Sequence, residues 1–100
     1  MKLYAIKDSN KELYFQIEKT NKGLKTIDWI ACEVFGEEGY IFENKWQTGL
    51  PNGEDYESKS DGDIFMGVVL SEKRIHIIIK GIKDKNKIKE IITNEYDFVK

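Results

Sequence analysis

The side chains best suited to catalysis are a single histidine, His76, and a single cysteine, Cys32. Any Ser-His-Asp or Cys-His mechanism would have to use them. His76 lies in an isoleucine-rich run, which favours a histidine packed on a sheet. Cys32 follows Ala31 in an apolar stretch, and free cysteine is among the most buried residue types. We therefore predict that neither residue is catalytic and that the protein is not an enzyme.

Carboxylates are the next candidates, as acid–base pairs or as ligands of a hard cation. Residues 57–63 resemble part of an EF-hand loop, but aligning Gly62 to the required glycine puts Lys59 and Val68 at ligand positions. The adjacent acidic pairs lie among turn residues, which favours exposure over the burial that acid–base catalysis needs. These pairs are Glu37–Glu38 and Glu54–Asp55. No glycine spacing fits a phosphate-binding loop, so we predict no metal and no cofactor.

The least ordinary feature is an acidic segment over residues 47–63. Five acids and one base give it a charge of −4, and because the whole chain carries −2, the remainder sums to +2. Such a patch can steer onto a basic protein surface, with aromatic side chains as anchors once docked. The predicted partner-binding residues are Trp46, Glu54, Asp55, Tyr56, Glu57, Asp61 and Asp63. The alternative is a mobile, solubilising loop.

A run of lysines supports a second function, a nucleic-acid-binding accessory domain. The residues are Lys80, Lys83, Lys85, Lys87 and Lys89. They could contact phosphates, and Tyr4, Tyr14 or Phe15 could stack on bases from the sheet. The alternative is a solvated helix face opposite an isoleucine stripe. A third function, a small enzyme with carboxylate chemistry, would need the acids of the 47–63 segment to gather around a cleft.

The alternation of apolar and polar residues predicts the strands that carry these groups. Residues 3–7 and 13–17 predict a β-hairpin, and residues 40–46 predict a further strand. Residues 64–70 and 75–80 predict a second hairpin, whose last strand is isoleucine-rich enough to be buried on both faces.

Two helices are expected beside these strands. Apolar residues at helical spacing predict a helix over about 27–35, with Thr26 as N-cap and Gly36 as C-cap, although β-branched residues leave a strand open there. Ile88, Ile91 and Ile92 predict a closing helix capped by Asp84. The order ββ-α-β-loop-ββ-α indicates one α+β domain over 1–100, an antiparallel sheet of about five strands with both helices on one face, and a long acidic loop at about 47–63.

The composition of the chain limits the classes of partner that we expect it to bind. The net charge of −2 lacks the basicity of non-specific nucleic-acid or membrane binding. A lone cysteine and an N-terminus without a signal peptide favour the cytoplasm, and no apolar run approaches the length of a bilayer span. Fifteen lysines and fourteen isoleucines suggest an AT-rich microbial or phage genome.

The leading hypothesis is a small inhibitor of another protein, of the immunity-protein, antitoxin or phage-encoded type, that covers a basic surface. Its oligomeric state is open.

Overall fold

The computed structural model describes residues 1–36, 55–82 and 84–99. The strands are β1 (Lys2–Ser9), β2 (Glu12–Glu18), β3 (Asp55–Asp61), β4 (Ile64–Leu70), β5 (Arg74–Lys80) and β6 (Asp97–Phe98), and the helices are α1 (Asn21–Phe35) and α2 (Lys85–Glu95). The α+β class is confirmed. The prediction of about five antiparallel strands is only partly met, because the described sheet has six strands in the order β3-β4-β5-β2-β1-β6, and β6 runs parallel to β1.

Both helices pack on one face of the sheet, where every second side chain of the inner strands is buried. The core of this layer contains Leu13, Phe15, Ile17, Met66, Val68, Ile75, Ile77 and Ile79 from the sheet, and Ile27, Ile30, Ala31, Val34, Ile88 and Ile92 from the helices. Each such valine, leucine, isoleucine, methionine or phenylalanine side chain contributes about 1.5–3 kcal/mol on full burial. The prediction that β5 is buried on both faces is wrong, since His76 and Ile78 point away from the helices and are only partly buried.

A β-bulge interrupts the alternation of β1. Leu3 pairs with Ile17, but the register shifts before Ala5, which pairs with Gln16. One extra residue in a strand moves every following side chain of that strand to the opposite face of the sheet. Tyr4 and Ala5 therefore both face away from the helices, whereas Ile6 packs against the core.

The first helix begins six residues before the predicted start, and strand is excluded for this segment. The Thr20 hydroxyl caps it by accepting a hydrogen bond from Gly23 N at 3.0 Å. Residue 23, in the first turn of α1, must be a glycine, because a Cβ at this position would lie only 2.7 Å from Glu18 O. Thr26 is consequently a buried helix residue and not the N-cap. The predicted C-cap is confirmed, with Gly36 at φ +69° and its N–H bonded to Cys32 O.

The loop predicted over 47–63 is wrong in its second part, because residues 55–61 form β3 and pair with β4 along their whole length. Gly62 and Asp63 make a two-residue turn, in which Gly62 takes φ +60°. A glycine followed by aspartate between two pairing strands is typical of a tight hairpin. Residues 47–54 and the strand predicted over 40–46 lie outside the described residues.

The second helix starts as predicted, with the Asp84 side chain accepting a hydrogen bond from Asn86 N at 3.1 Å. At its end, Tyr96 is buried and its hydroxyl lies 2.8 Å from the Thr26 hydroxyl, which in turn donates to Lys22 O. Burial raises the pKa of Tyr96, and the bond to Thr26 offsets part of that rise. This contact joins the end of α2 to the first half of α1.

We predict that Thr26→Val lowers the free energy of unfolding by about 1–3 kcal/mol, because the buried Tyr96 hydroxyl then lacks its partner. Tyr96→Phe should cost less, since the Thr26 hydroxyl keeps its bond to Lys22 O. Urea denaturation of both variants measures the difference. A loss from Tyr96→Phe that equals or exceeds the loss from Thr26→Val would contradict this assignment.

Candidate functional site: an acidic cleft

A cleft of about 550 Å³ opens at the end of the sheet where β3 turns into β4 and β5 leads into α2. Three stretches of chain surround it: the end of α1, the β3–β4 turn, and the segment from the end of β5 into α2. Its lining residues are Glu33, Val34, Asp61, Asp63, Ile64, Gly81, Ile82, Asp84, Lys87 and Ile88. We call this set the acidic cleft.

The apolar part of the acidic cleft belongs to the protein core. Val34, Ile82 and Ile88 are buried core residues, and Ile64 packs against that core while partly exposed. Helical spacing puts Val34 and Ile88 on the buried faces of their helices. These four aliphatic side chains give the acidic cleft an apolar floor held by the fold itself.

Four carboxylates and one ammonium group surround that floor. Asp61, Asp63 and Asp84 are exposed, and Glu33 lies 2.8 Å from the Nζ of Lys87. The hydrogen bond from Lys87 to Glu33 raises the pKa of the lysine. Because Lys87 offsets only one of the four acids, the acidic cleft carries a clear excess of negative charge.

Gly81 positions the β3–β4 turn, and with it Asp61 and Asp63. It has φ +78°, and its N–H donates to Lys11 O at 3.0 Å. A Cβ at this position would lie only 2.1 Å from Asp63 O, a backbone atom. Glycine is therefore needed here for its conformation and for the close approach of the turn.

The structure does not bring the predicted partner-binding residues together. Asp61 and Asp63 line the acidic cleft, while Asp55 lies at the far end of β3. Tyr56 points to the side of the sheet away from the helices, and Glu57 is buried on the helix side with only 8% exposure. Trp46 and Glu54 lie outside the described residues. The predicted partner-binding set lacks Glu33, and Asp84 was predicted only as a helix cap, because neither residue belongs to the acidic segment.

The described lysines of the predicted nucleic-acid-binding set all bond carboxylates. The pairs are Lys80–Glu12 at 3.4 Å, Lys85–Asp8, Lys89–Asp8 at 3.0 Å, and Lys87–Glu33 at 2.8 Å. The Lys85 and Lys89 bonds hold the pKa of the Asp8 carboxyl below its ordinary value. Lys83 lies outside the described residues. The lysines of α2 and the tyrosines Tyr4 and Tyr14 also lie on opposite sides of the sheet, and Phe15 is fully buried beneath the helices.

Comparisons with protein-family models, with curated proteins and with solved structures found no match to this chain. Among residues 1–36, 55–82 and 84–99, no group of three or more histidine, cysteine or acidic side chains is placed to hold a metal ion. In the same residues, neither helix is long and apolar enough to cross a membrane. The His76 ring contacts Tyr14 and Ser71 on the side of the sheet away from the helices, whereas Cys32 belongs to α1.

We predict that Gly81→Ala destabilises the protein more than Gly36→Ala does. Both positions have positive φ, which costs a non-glycine residue about 1–2 kcal/mol. Only the alanine at 81 would also collide with backbone, since the space around Gly36 is open. Urea denaturation of the two variants measures the comparison. Equal losses would mean that the β3–β4 turn does not depend on close approach to Gly81.

Proposed function

We propose that this protein is a non-enzymatic binding protein that receives a basic segment of another protein in the acidic cleft. The observation that carries the proposal is the excess of carboxylates set around an aliphatic floor. Lysine and arginine side chains combine a long apolar stem with a terminal positive charge. Such a side chain could lay its stem on Ile64 and Ile82 while its charged end meets Asp61 and Asp63.

The proposal extends to an inhibitor of the immunity-protein, antitoxin or phage-encoded type, acting in the cytoplasm. A concentrated negative surface speeds encounter with a basic active site or nucleic-acid-binding surface and favours the correct orientation. An inhibitor of this type needs no catalytic group, which suits a chain with one histidine and one cysteine. The proposed target is a protein whose exposed lysines or arginines are essential to its own activity.

The two other functions have less support. For carboxylate catalysis, the cleft does gather Asp61, Asp63 and Glu33, but an acid catalyst at neutral pH needs a buried carboxyl, and both aspartates are exposed. For nucleic-acid binding through the last helix, Lys85 and Lys89 would first have to leave Asp8. Exposed carboxylates that accept a cation from solution fit binding better.

Fluorescence anisotropy with labelled lysine-rich and arginine-rich peptides tests this function. We predict that the wild-type protein binds these peptides and that Asp61→Asn combined with Asp63→Asn weakens binding at least about tenfold, or about 1.4 kcal/mol. The same change should flatten the dependence of binding on salt, since two carboxylates no longer contribute.

The matched control is Glu72→Gln combined with Glu90→Gln, which removes the same charge from exposed positions outside the acidic cleft. This control should bind the peptides within about twofold of wild type, since isolated surface charges contribute little. If both double variants weakened peptide binding equally, the binding would depend on the net charge of the protein and not on the cleft. That result would overturn the proposal that the acidic cleft is the binding site. An absence of peptide binding at low salt would overturn it as well.

A further inference from the structure

The side of the sheet opposite the helices carries a second set of side chains with a chemistry of its own. We call it the open face. The strand register assigns to it the residues that alternate with the buried ones, among them Tyr4, Tyr14, Phe65, Arg74, His76 and Lys80. Within the described part of the chain, neither helix packs on this side. It carries the rings of Tyr56 and Phe65 on the neighbouring strands β3 and β4, and those of Tyr14 and Tyr4 on the neighbouring strands β2 and β1, with β5 between the two pairs.

One of these rings lies along the sheet because its neighbour has no side chain. A Cβ at Gly67 would lie 3.0 Å from the ring of Phe65 and 3.2 Å from the Cγ2 of Ile78. The Phe65 ring therefore occupies the place above Gly67 that any other residue would fill. The Nζ of Lys80 lies 6.0 Å from the centroid of this ring. An aromatic surface with a cation at its margin results.

A second ring is held by a chain of hydrogen bonds across β2 and β5. Arg74 Nη1 donates to Gln16 Oε1 at 3.0 Å, and Gln16 Nε2 donates to the Tyr14 hydroxyl at 2.5 Å. That hydroxyl lies 3.2 Å from His76 Nδ1, and His76 Nε2 lies 3.4 Å from Ser71 Oγ. The Ser71 hydroxyl in turn donates to the backbone oxygen of Arg74 at 3.1 Å, so the chain of contacts begins and ends at Arg74. These contacts fix the direction of the Tyr14 ring before any ligand arrives.

The third ring is stacked with the protein's single arginine. The guanidinium carbon of Arg74 lies 4.1 Å from the centroid of the Tyr4 ring. The bulge in β1 makes this contact possible, because it turns both Tyr4 and Ala5 to the open face. A guanidinium stacked on a ring and bonded to Gln16 is a preorganised partner for a phosphate or for the edge of a base.

The charges near these rings favour an anionic ligand. Lys7, Arg74 and Lys80 lie on the open face, and Lys19 and Lys73 lie at its Arg74 end, where Lys19 N donates to Lys73 O. The acids of this face are Glu12, which pairs with Lys80, and Glu18, which lies opposite Arg74 in the register, and Glu72 precedes Lys73 at the same end. The excess carboxylates of the acidic cleft border the helix layer. Among the described residues, the open face is thus more positive than the acidic cleft.

We propose that the open face binds single-stranded nucleic acid, with bases stacked on Tyr14, Phe65 and the Tyr4–Arg74 pair. Every base has a flat apolar surface, so rings lying along a sheet can accept several in succession. Arg74 and the lysines at that end meet the phosphates. A duplex keeps its bases stacked on one another and cannot use the rings. This function is separate from the acidic cleft and from the lysines of α2.

Fluorescence anisotropy with labelled oligothymidine and oligouridine tests the proposal on the intact chain. Tyr14→Leu should weaken binding by about fivefold or more, since it removes the ring from a stacked base. Tyr14→Phe keeps the ring and should bind within about twofold of wild type. Arg74→Gln should weaken binding and reduce its salt dependence, because a phosphate contact is lost. A duplex of matched length should bind more weakly than either single strand.

Two controls separate this surface from the others. Lys87→Gln alters the helix side and should leave oligonucleotide affinity unchanged, whereas Tyr14→Leu should leave the binding of lysine-rich peptides unchanged. The proposal is overturned if neither oligonucleotide binds at low salt or if Tyr14→Leu binds as wild type does. It is equally overturned if Lys87→Gln weakens binding as strongly as Arg74→Gln, because the contact would then follow charge alone.

Discussion

The strand β5, in the middle of the sheet, is buried on one face only, and this orientation determines where the other strands and the helices can pack. Ile75, Ile77 and Ile79 point into the helix layer and are fully buried, so the alternate side chains of the same strand must point the other way. Because the neighbouring strands are in register with β5, this single orientation divides the whole sheet into a packed side and an open side. A one-residue slip of the pairing would exchange the two sides and expose the core.

The parts of the fold that were predictable have strong local causes. Gly36 and Asp84 end and begin their helices as predicted, because left-handed backbone and side-chain capping depend on neighbours only a few residues away. The start of α1 was missed although its cause is equally local, since Thr20 caps the helix by accepting a hydrogen bond from Gly23 N three residues on, and a glycine in the first turn is a weak helix signal. For β3 the polar composition hid the strand, although the Gly62–Asp63 turn was a usable signal.

The candidate sites were less predictable than the fold because they combine residues distant in sequence. Asp61 and Asp63 were expected to contact a partner, but Glu33 joins them from a helix that ends well before the acidic segment. Conversely, Glu57 belongs to the same acidic run and is turned into the packed side by strand alternation. Because the two sides of the sheet carry different side chains, the molecule has two surfaces of different chemistry. Carboxylates gather at the edge of the helix layer, and rings with Arg74 gather on the open face.

Two-dimensional NMR can locate the binding surface, by following the amide chemical shifts while a lysine-rich peptide is added. We expect the shifting amides to surround the acidic cleft, at Glu33, at the β3–β4 turn around Asp63, and from Ile82 to Ile88. Amides of the open face, such as those of Tyr14 and His76, should keep their positions. Shifts confined to the open face, or spread evenly over all exposed acids, would contradict the proposal that the acidic cleft receives a basic partner.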